Sequence, residues 1–299
     1  MKPIEIDKLS KTFRGKRGRR VEALKELSLG VADGEVFGFL GPNGAGKSTT
    51  IKTLVGQIRS TSGSAMLFGD PAGSTEARKR IGYLPENPAF YDFLTAREYL
   101  DLVGQTFGMN GAAIRRESER LLEVMSLTEA ADRPIRGYSK GMVQRIGLAQ
   151  ALLHDPDLYI LDEPMSGLDP VGRALVKDLI LDLKLHGKTV FFSTHVIADV
   201  EAVCDRVAII NQGELRAENA VSDIIAEGIE GYRVRLEQPP PHELQEYFEG
   251  ELAMQTGDLF VPRQKFNTFV RQVDQLGCVI HLIEARRKSL EDFFLKTIS

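Results

Sequence analysis

Short apolar runs alternate with stretches of helical spacing through residues 36–220. Four of the runs have the length of buried strands: Val36–Leu40, Leu158–Leu161, Val190–Phe192 and Val207–Ile210. Between them, Val143–His154 and Arg173–His186 carry apolar residues every three or four positions, which is typical of helices. Strands that are buried on both faces and alternate with helices favour an α/β domain with a largely parallel sheet.

Two further segments belong to this first domain. Residues 1–35 alternate between apolar and polar positions and carry turn residues, which predicts a strand and a hairpin. Residues 92–132 have a mostly helical pattern, and we expect an inserted α-helical subdomain over residues 92–150.

The pattern changes after about residue 220. The elements predicted there are strand Tyr232–Leu236, helix His242–Phe248, strands Leu252–Thr256 and Leu259–Val261, helix Phe266–Leu276 and strand Val279–Ile283. The order β-α-β-β-α-β is that of a ferredoxin-like unit, and Ser289–Ile298 predicts a closing helix. We therefore expect two domains, 1–220 and 225–299, the second of them a small α+β domain.

Composition and charge narrow the class of protein. The chain has 299 residues, with 38 Lys and Arg against 42 Asp and Glu, and a formal net charge of −4. This balance disfavours a general nucleic-acid binder. Cys204 and Cys278 stand far apart, which excludes a disulfide framework or a cysteine zinc site and fits a reducing cytosol.

The chain also lacks the sequence patterns of membrane insertion. Its first residues have no signal-peptide pattern, and no run reaches the roughly 18 apolar residues of a membrane span. We therefore expect a cytoplasmic protein that reaches a membrane only through a partner.

A glycine-rich segment follows the first apolar run and precedes a helical stretch, Lys47–Ile58. Its residues fit the phosphate-loop pattern G-x-x-x-x-G-K-[ST]: Gly41, Pro42, Asn43, Gly44, Ala45, Gly46, Lys47 and Ser48. Such a loop turns its backbone N–H groups toward a phosphate at a helix N-terminus. Lys47 would reach the β- and γ-phosphates of a nucleotide, Ser48 would ligate Mg²⁺, and Thr49 would contact the α-phosphate. A glycine-rich turn without a ligand is the alternative, which the strand and helix context disfavours.

An acidic pair, Asp162-Glu163, ends the second apolar run. Because the ends of parallel strands meet at one ligand crevice, we expect Asp162 to hold Mg²⁺ through water. Glu163 would take a proton from an attacking water or orient it. Without the phosphate loop, the simpler interpretation would be that these two acidic residues stabilise the N-terminus of a helix.

Further motifs carry a family resemblance over residues 1–220. They are the run Tyr138–Arg145, which includes Ser139 and Gly141, the run Ser166–Pro170 with Asp169, the run Ser193–His195, and Phe13. With the phosphate loop, these segments resemble the signature, D-loop, switch-histidine and adenine-stacking positions of the nucleotide-binding subunit of ABC transporters. Lys140 and Met142 depart from the residues that are usual in the signature.

The resemblance implies an ABC-type P-loop NTPase fold with ATP and Mg²⁺ as ligands. It also implies a dimer with a second ATPase subunit, identical or different, in which Ser139 and Gly141 face the γ-phosphate held by the opposite subunit. His195 would bond the γ-phosphate, Asp169 would serve in the D-loop, and Phe13 would stack on adenine. Three of these residues have a structural alternative: Ser139 could cap a helix, His195 could be a structural histidine, and Phe13 could be a core residue.

Glu86 occupies the position where the family usually has a glutamine. A carboxylate oxygen is also a good ligand for a hard cation, although it adds negative charge beside Asp162 and Glu163. We therefore expect Glu86 to ligate Mg²⁺.

The ending Lys288–Phe294 looks like that of ATPases serving ABC-2-type exporters. The resemblance thus implies a subunit on the cytoplasmic face of a membrane that powers export through an integral membrane permease. The apolar cluster Phe90, Tyr91, Phe93 and Leu94 would either dock that permease or pack against the helical subdomain. The alternative is a soluble, non-transport ABC ATPase acting at ribosomes or nucleic acid, but this chain has one phosphate loop and no coiled coil before Ser139.

Overall fold

The computed structural model describes residues 2–15, 20–238, 241, 244, 253–255, 258–287 and 290–298. They form two units, Met1–Val221 and Ser222–Ser299. In the described part of the chain, no helix has both the length and the apolar character needed to cross a membrane.

The described residues of the first unit form ten strands. They are β1 (Ile4–Arg14), β2 (Arg20–Val31), β3 (Val36–Leu40), β4 (Ser62–Leu67), β5 (Asp70–Pro71), β6 (Ile81–Leu84), β7 (Leu158–Asp162), β8 (Thr189–Thr194), β9 (Arg206–Asn211) and β10 (Glu214–Ala220). Six of them form a sheet in the order β10-β9-β3-β8-β7-β6. Neighbours from β9 to β6 run parallel, and β10 lies antiparallel to β9. The predicted buried, largely parallel sheet is therefore confirmed.

A second, antiparallel sheet has the order β2-β1-β4-β5. Strands β1 and β2 form the hairpin predicted from residues 1–35. Alternate residues of the six-stranded sheet face two different cores, because successive side chains of a strand point to opposite faces. Phe37, Phe39 and Phe191 pack in one core with residues of the antiparallel sheet, whereas Tyr159 and Phe192 pack in the other with helical residues.

Helices cover this framework. They are α1 (Lys47–Leu54), α2 (Thr75–Lys79), α3 (Ala96–Thr106), α4 (Gly111–Val124), α5 (Lys140–Leu152), α6 (Pro170–Leu185) and α7 (Ile197–Val203), with short 3₁₀ turns at Thr128–Ala130 and Ile135–Gly137. The first helix ends earlier than the predicted Ile58 because Gly56 adopts a left-handed φ of 77° just after it. Residues 92–150 include α3, α4 and most of α5.

The second unit is a small α+β fold. Its elements are α8 (Val221–Glu227, which begins at the boundary), β11 (Ile229–Leu236), β12 (Ala253–Gln255), β13 (Asp258–Pro262), a 3₁₀ turn at Arg263–Lys265, α9 (Phe266–Gln275), β14 (Ile280–Arg287) and α10 (Leu290–Ile298). The antiparallel order β12-β13-β11-β14 is the one that a ferredoxin-like β-α-β-β-α-β chain produces. Apart from Leu244, the predicted helix His242–Phe248 lies outside the described residues.

Candidate functional site

The glycine-rich segment forms a tight loop between β3 and α1. The loop borders a cleft of about 260 Å³, lined by the residues from Pro42 to Thr49 together with Ala23, Glu86 and Glu163. Gly44 and Gly46 have φ values of 82° and 115°, which L-amino acids with a side chain rarely adopt. A side chain at Gly41 would meet the carbonyl oxygen of Ile210 at 2.4 Å, so the spacing of the glycines follows from the geometry of the loop.

Lys47 places a buried positive charge within this loop. Its Nζ donates a hydrogen bond to the carbonyl oxygen of Gly41 at 2.7 Å and lies 3.3 Å from Oε1 of Glu163. The side chain is 6% exposed, and a charge so buried requires partners. Lys47 and Glu163 are therefore direct neighbours beside the glycine-rich loop.

Asp162 ends β7 beside the first turn of α1. Its Oδ1 accepts hydrogen bonds from Oγ of Ser193 at 2.5 Å and from Oγ of Ser48 at 3.4 Å. Burial raises the pKa of Asp162, and these two hydrogen bonds oppose that shift. The sequence alone does not show that Ser193, near the end of β8, bonds Asp162.

Glu163 has a strained backbone that its neighbours hold in place. Its φ of 51° lies in the left-handed region, which is uncommon for a residue with a side chain. Its backbone N–H donates to the Ser193 hydroxyl at 3.1 Å, and its carbonyl accepts from Nε2 of Gln144 at 3.3 Å. Strain held in this way is typical of functional sites. The role of Gln144 is likewise not evident from the sequence. The one indication is that it is a polar residue within the apolar stretch of α5.

His195 completes a three-residue cluster. Its Nδ1 lies 3.0 Å from both carboxylate oxygens of Glu163, and its side chain is about half exposed. The Glu163 carboxylate thus lies between the Lys47 ammonium group and an imidazole at the rim of the cleft. A buried carboxylate beside a phosphate loop can accept a proton, and a half-exposed imidazole next to it can contact a ligand that enters from solvent.

The oxygen atoms around the cleft suit Mg²⁺ held jointly with phosphates. Ser48, Asp162 and Glu86 supply hydroxyl and carboxylate oxygens, which are the hard ligands that this ion prefers. In the described residues, no group of three or more His, Cys, Asp or Glu side chains forms a cage of its own. Protein Mg²⁺ sites commonly use one or two carboxylates and substrate phosphates, so this set fits the ion.

The remaining predicted residues lie outside the cleft. Ser139 caps α5 by accepting a hydrogen bond from the N–H of Met142 at 3.3 Å. Asp169 caps α6 in the same way, with Gly172 N–H at 2.7 Å from its Oδ1. Both caps are exposed. Phe13 is 40% exposed near the end of β1, with the ammonium group of Lys11 5.0 Å from its ring centroid.

The signature and D-loop segments are neighbours on this surface. A Cβ atom placed on Gly141 would lie 3.5 Å from Cδ2 of Leu168, and one placed on Gly167 would contact the side chain of Lys140. The two exposed helix starts therefore share one surface of the first unit.

Comparison with known proteins assigns the family. The family model described as ABC transporter matches residues 24–166. An ABC transporter ATP-binding protein of Synechocystis sp. is 41% identical over 99% of this chain and 84% of its own length. The chain belongs to the ABC transporter ATP-binding protein family. The Nod factor export ATP-binding protein I of Paraburkholderia xenovorans is 40% identical over 76% of this chain and 73% of its own length.

Solved ABC cassettes share the fold. One is the dimeric structure of a post-hydrolysis state of an ATP-binding cassette bound to ADP and phosphate, with a TM-score of 0.68 and 25% identity, covering 73% of this chain and 98% of its own. The predicted α/β P-loop NTPase fold is confirmed, and the chain is an ABC-type ATPase. The ribosome- or nucleic-acid-associated alternative is not favoured by these relatives.

Proposed function

We propose that this chain binds MgATP in the phosphate-loop cleft, dimerises with a second ATPase subunit, and powers export through a separate integral membrane permease. It would lie on the cytoplasmic face of the membrane, held there by the permease. The observation that carries the proposal is the cluster of Lys47, Glu163 and His195 beside the glycine-rich loop. No nucleic acid is needed as a partner.

The loop residues supply nucleotide binding. Backbone N–H groups around Gly44 and Gly46 and the ammonium group of Lys47 would bind the β- and γ-phosphates, and Thr49 would bond the α-phosphate. Ser48, Asp162 and Glu86 would hold Mg²⁺, Asp162 through water. The ion, when bound, neutralises charge that develops on the phosphates.

Glu163 and His195 would perform the remaining chemistry. Glu163 would accept a proton from the attacking water, and its fixed backbone keeps the carboxylate at the edge of the loop. His195 would bond the γ-phosphate through the half of its imidazole ring that is exposed to solvent. The 3.0 Å contact between the two side chains supports a shared role.

Dimerisation would complete each site. Ser139, Gly141 and Asp169 lie outside the cleft of their own chain, and Ser139 and Asp169 are exposed at helix starts that favour anions. In a dimer these helix starts would face the nucleotide of the opposite subunit. The similar cassette that is dimeric with ADP and phosphate supports this arrangement. Phe13, exposed near the end of β1, would stack on adenine.

An exposed aromatic pair supports docking of a membrane partner. Tyr91 and Phe93 are 60% and 65% exposed with ring centroids 6.0 Å apart, whereas Phe90 and Leu94 are partly buried against the helical core. The cluster therefore divides into a buried half and an exposed half. Exposed aromatic side chains that lie together are typical of interaction sites. The relative that is a Nod factor export protein supports export as the direction.

Affinity purification from solubilised membranes tests this function. We expect an integral membrane protein to be recovered with the tagged wild-type chain, and the variant with Tyr91→Ser and Phe93→Ser to lose it while it still binds ATP. Leu185→Ser, at a residue that is 84% exposed at the far end of α6, is the matched control and should retain the partner. Recovery of ribosomes or nucleic acid in place of a membrane protein would contradict the proposal.

A further inference from the structure

A buried carboxylate joins two helices that flank the candidate site. Asp199 on α7 is 1% exposed. Both of its oxygens accept hydrogen bonds from Nη2 of Arg173, at 2.9 and 2.8 Å, and Nζ of Lys177 lies 3.2 Å from Oδ1. Arg173 and Lys177 stand one turn apart on α6, so both cations lie on the face of that helix that meets α7.

The three ionic residues, Asp199, Arg173 and Lys177, form an ion triad. On each of its two helices, this triad is close in sequence to a residue with a proposed role in ATP hydrolysis. Arg173 stands four residues after Asp169, and its N–H donates to the carbonyl oxygen of Asp169 at 2.9 Å. Asp199 stands four residues after His195, and its N–H donates to the carbonyl oxygen of Val196 at 3.2 Å. Val196 N–H in turn donates to Oγ1 of Thr194 at 3.0 Å. The backbone between His195 and Asp199 is therefore short, and these hydrogen bonds restrain it.

The segment that carries His195 needs such support. Helix α7 has seven residues and no side-chain hydrogen bond at its N-terminal cap, and isolated helices this short are unstable. Val200 packs it against β3, where the Cβ position of Gly38 lies 3.4 Å from Val200 Cγ2. That apolar contact fixes the distance of the helix from the sheet. The pairing with α6 adds further restraint, because Nη2 of Arg173 contacts both oxygens of the Asp199 carboxylate and Nζ of Lys177 contacts one of them.

We propose that Asp199 is a positioning residue that, through Arg173 and Lys177, fixes α7 against α6 so that His195 meets Glu163. The inference rests on the proposed function, since it assigns Asp199 a role in ATP hydrolysis through His195. Asp199 itself is not among the residues that line the cleft. Its effect should therefore fall on turnover and leave nucleotide binding unchanged.

The test replaces the charge and keeps the shape. Asp199→Asn should lower kcat for MgATP hydrolysis about 10- to 100-fold, since small misplacements of catalytic groups have effects of this size. The KM for ATP should stay at the wild-type value. Glu35→Gln is the matched control, because it removes a partly buried carboxylate from Arg206 in the same unit without touching α6 or α7. That control should retain wild-type kcat.

A double-mutant cycle separates positioning from general stability. If Asp199 acts through His195, Asp199→Asn should cause no further loss of kcat in a His195→Ala background. Losses of kcat that multiply in the double variant, a wild-type kcat in Asp199→Asn, or an equal loss in Glu35→Gln would each overturn the inference.

If circular dichroism shows that Asp199→Asn is unfolded, the same cycle is run with Arg173→Gln, at the partly exposed partner of Asp199. A wild-type protein without ATPase activity would overturn the proposed function as well, whereas an active wild type with an unaffected variant overturns only this inference.

Discussion

Gly46→Ala tests the geometry of the phosphate loop in the most direct way. Gly46 has a φ of 115°, and forcing a side chain into such a conformation costs about 1–3 kcal/mol. The added Cβ would lie 2.8 Å from the carbonyl oxygen of Ala23 and 2.9 Å from Cδ2 of Leu24. Overpacking a filled core costs a further 1–3 kcal/mol or so. The free energy of unfolding of the first unit should therefore fall by about 2–6 kcal/mol.

Gly44→Ala is the control within the same loop. Gly44 has a φ of 82°, and no described atom lies within 4 Å of its Cβ position, so only the conformational cost of about 1–2 kcal/mol applies. Urea unfolding followed by circular dichroism measures both variants, and fluorescent ATP titration measures the loop's function. We expect Gly46→Ala to unfold at lower urea than Gly44→Ala and to bind ATP more weakly. Equal midpoints for the two variants would refute the clash on which this reasoning depends.

Three further predictions concern single side chains. Burial raises the pKa of Asp162 above its unfolded value of about 4, so the free energy of unfolding falls as the pH rises from there through the raised pKa. Asp162→Asn should therefore be more stable than the wild type at neutral pH, and thermal unfolding at different pH values should show the difference vanish below about pH 4. Glu86→Gln keeps an oxygen for Mg²⁺ and should retain ATPase turnover in a coupled-enzyme assay, whereas a loss would show that the carboxylate itself is required. Phe13→Ala should raise the Kd for ATP by about 5- to 150-fold, because stacking on a base contributes about 1–3 kcal/mol, and an unchanged Kd would remove Phe13 from the adenine site.

Much of the fold follows from local patterns in the sequence. The runs at β3, β7, β8 and β9 are apolar throughout because both faces of the sheet are covered, and this property is visible without the structure. The phosphate loop is equally local, since its glycines and Lys47 are consecutive in the chain. Gly56 also marks the true end of α1, although the apolar spacing continues to Ile58.

The parts that could not be predicted depend on contacts between distant segments. Ser193 bonds Asp162 because β7 and β8 are adjacent and in register at these two residues. Gln144 reaches the carbonyl of Glu163 from α5, and nothing in the local sequence specifies that partner. The same holds for the burial of Asp199 between two cations of α6, which spacing along α7 alone does not reveal.

The central claim is that Glu163, beside Lys47 and His195, is the catalytic carboxylate of an ATPase. Its most direct test is single-turnover hydrolysis of MgATP by Glu163→Gln, together with ATP binding measured on the same preparation. The account predicts a fall in the hydrolysis rate on the order of 10²-fold or more, with ATP binding retained. Hydrolysis by Glu163→Gln at the wild-type rate would contradict it.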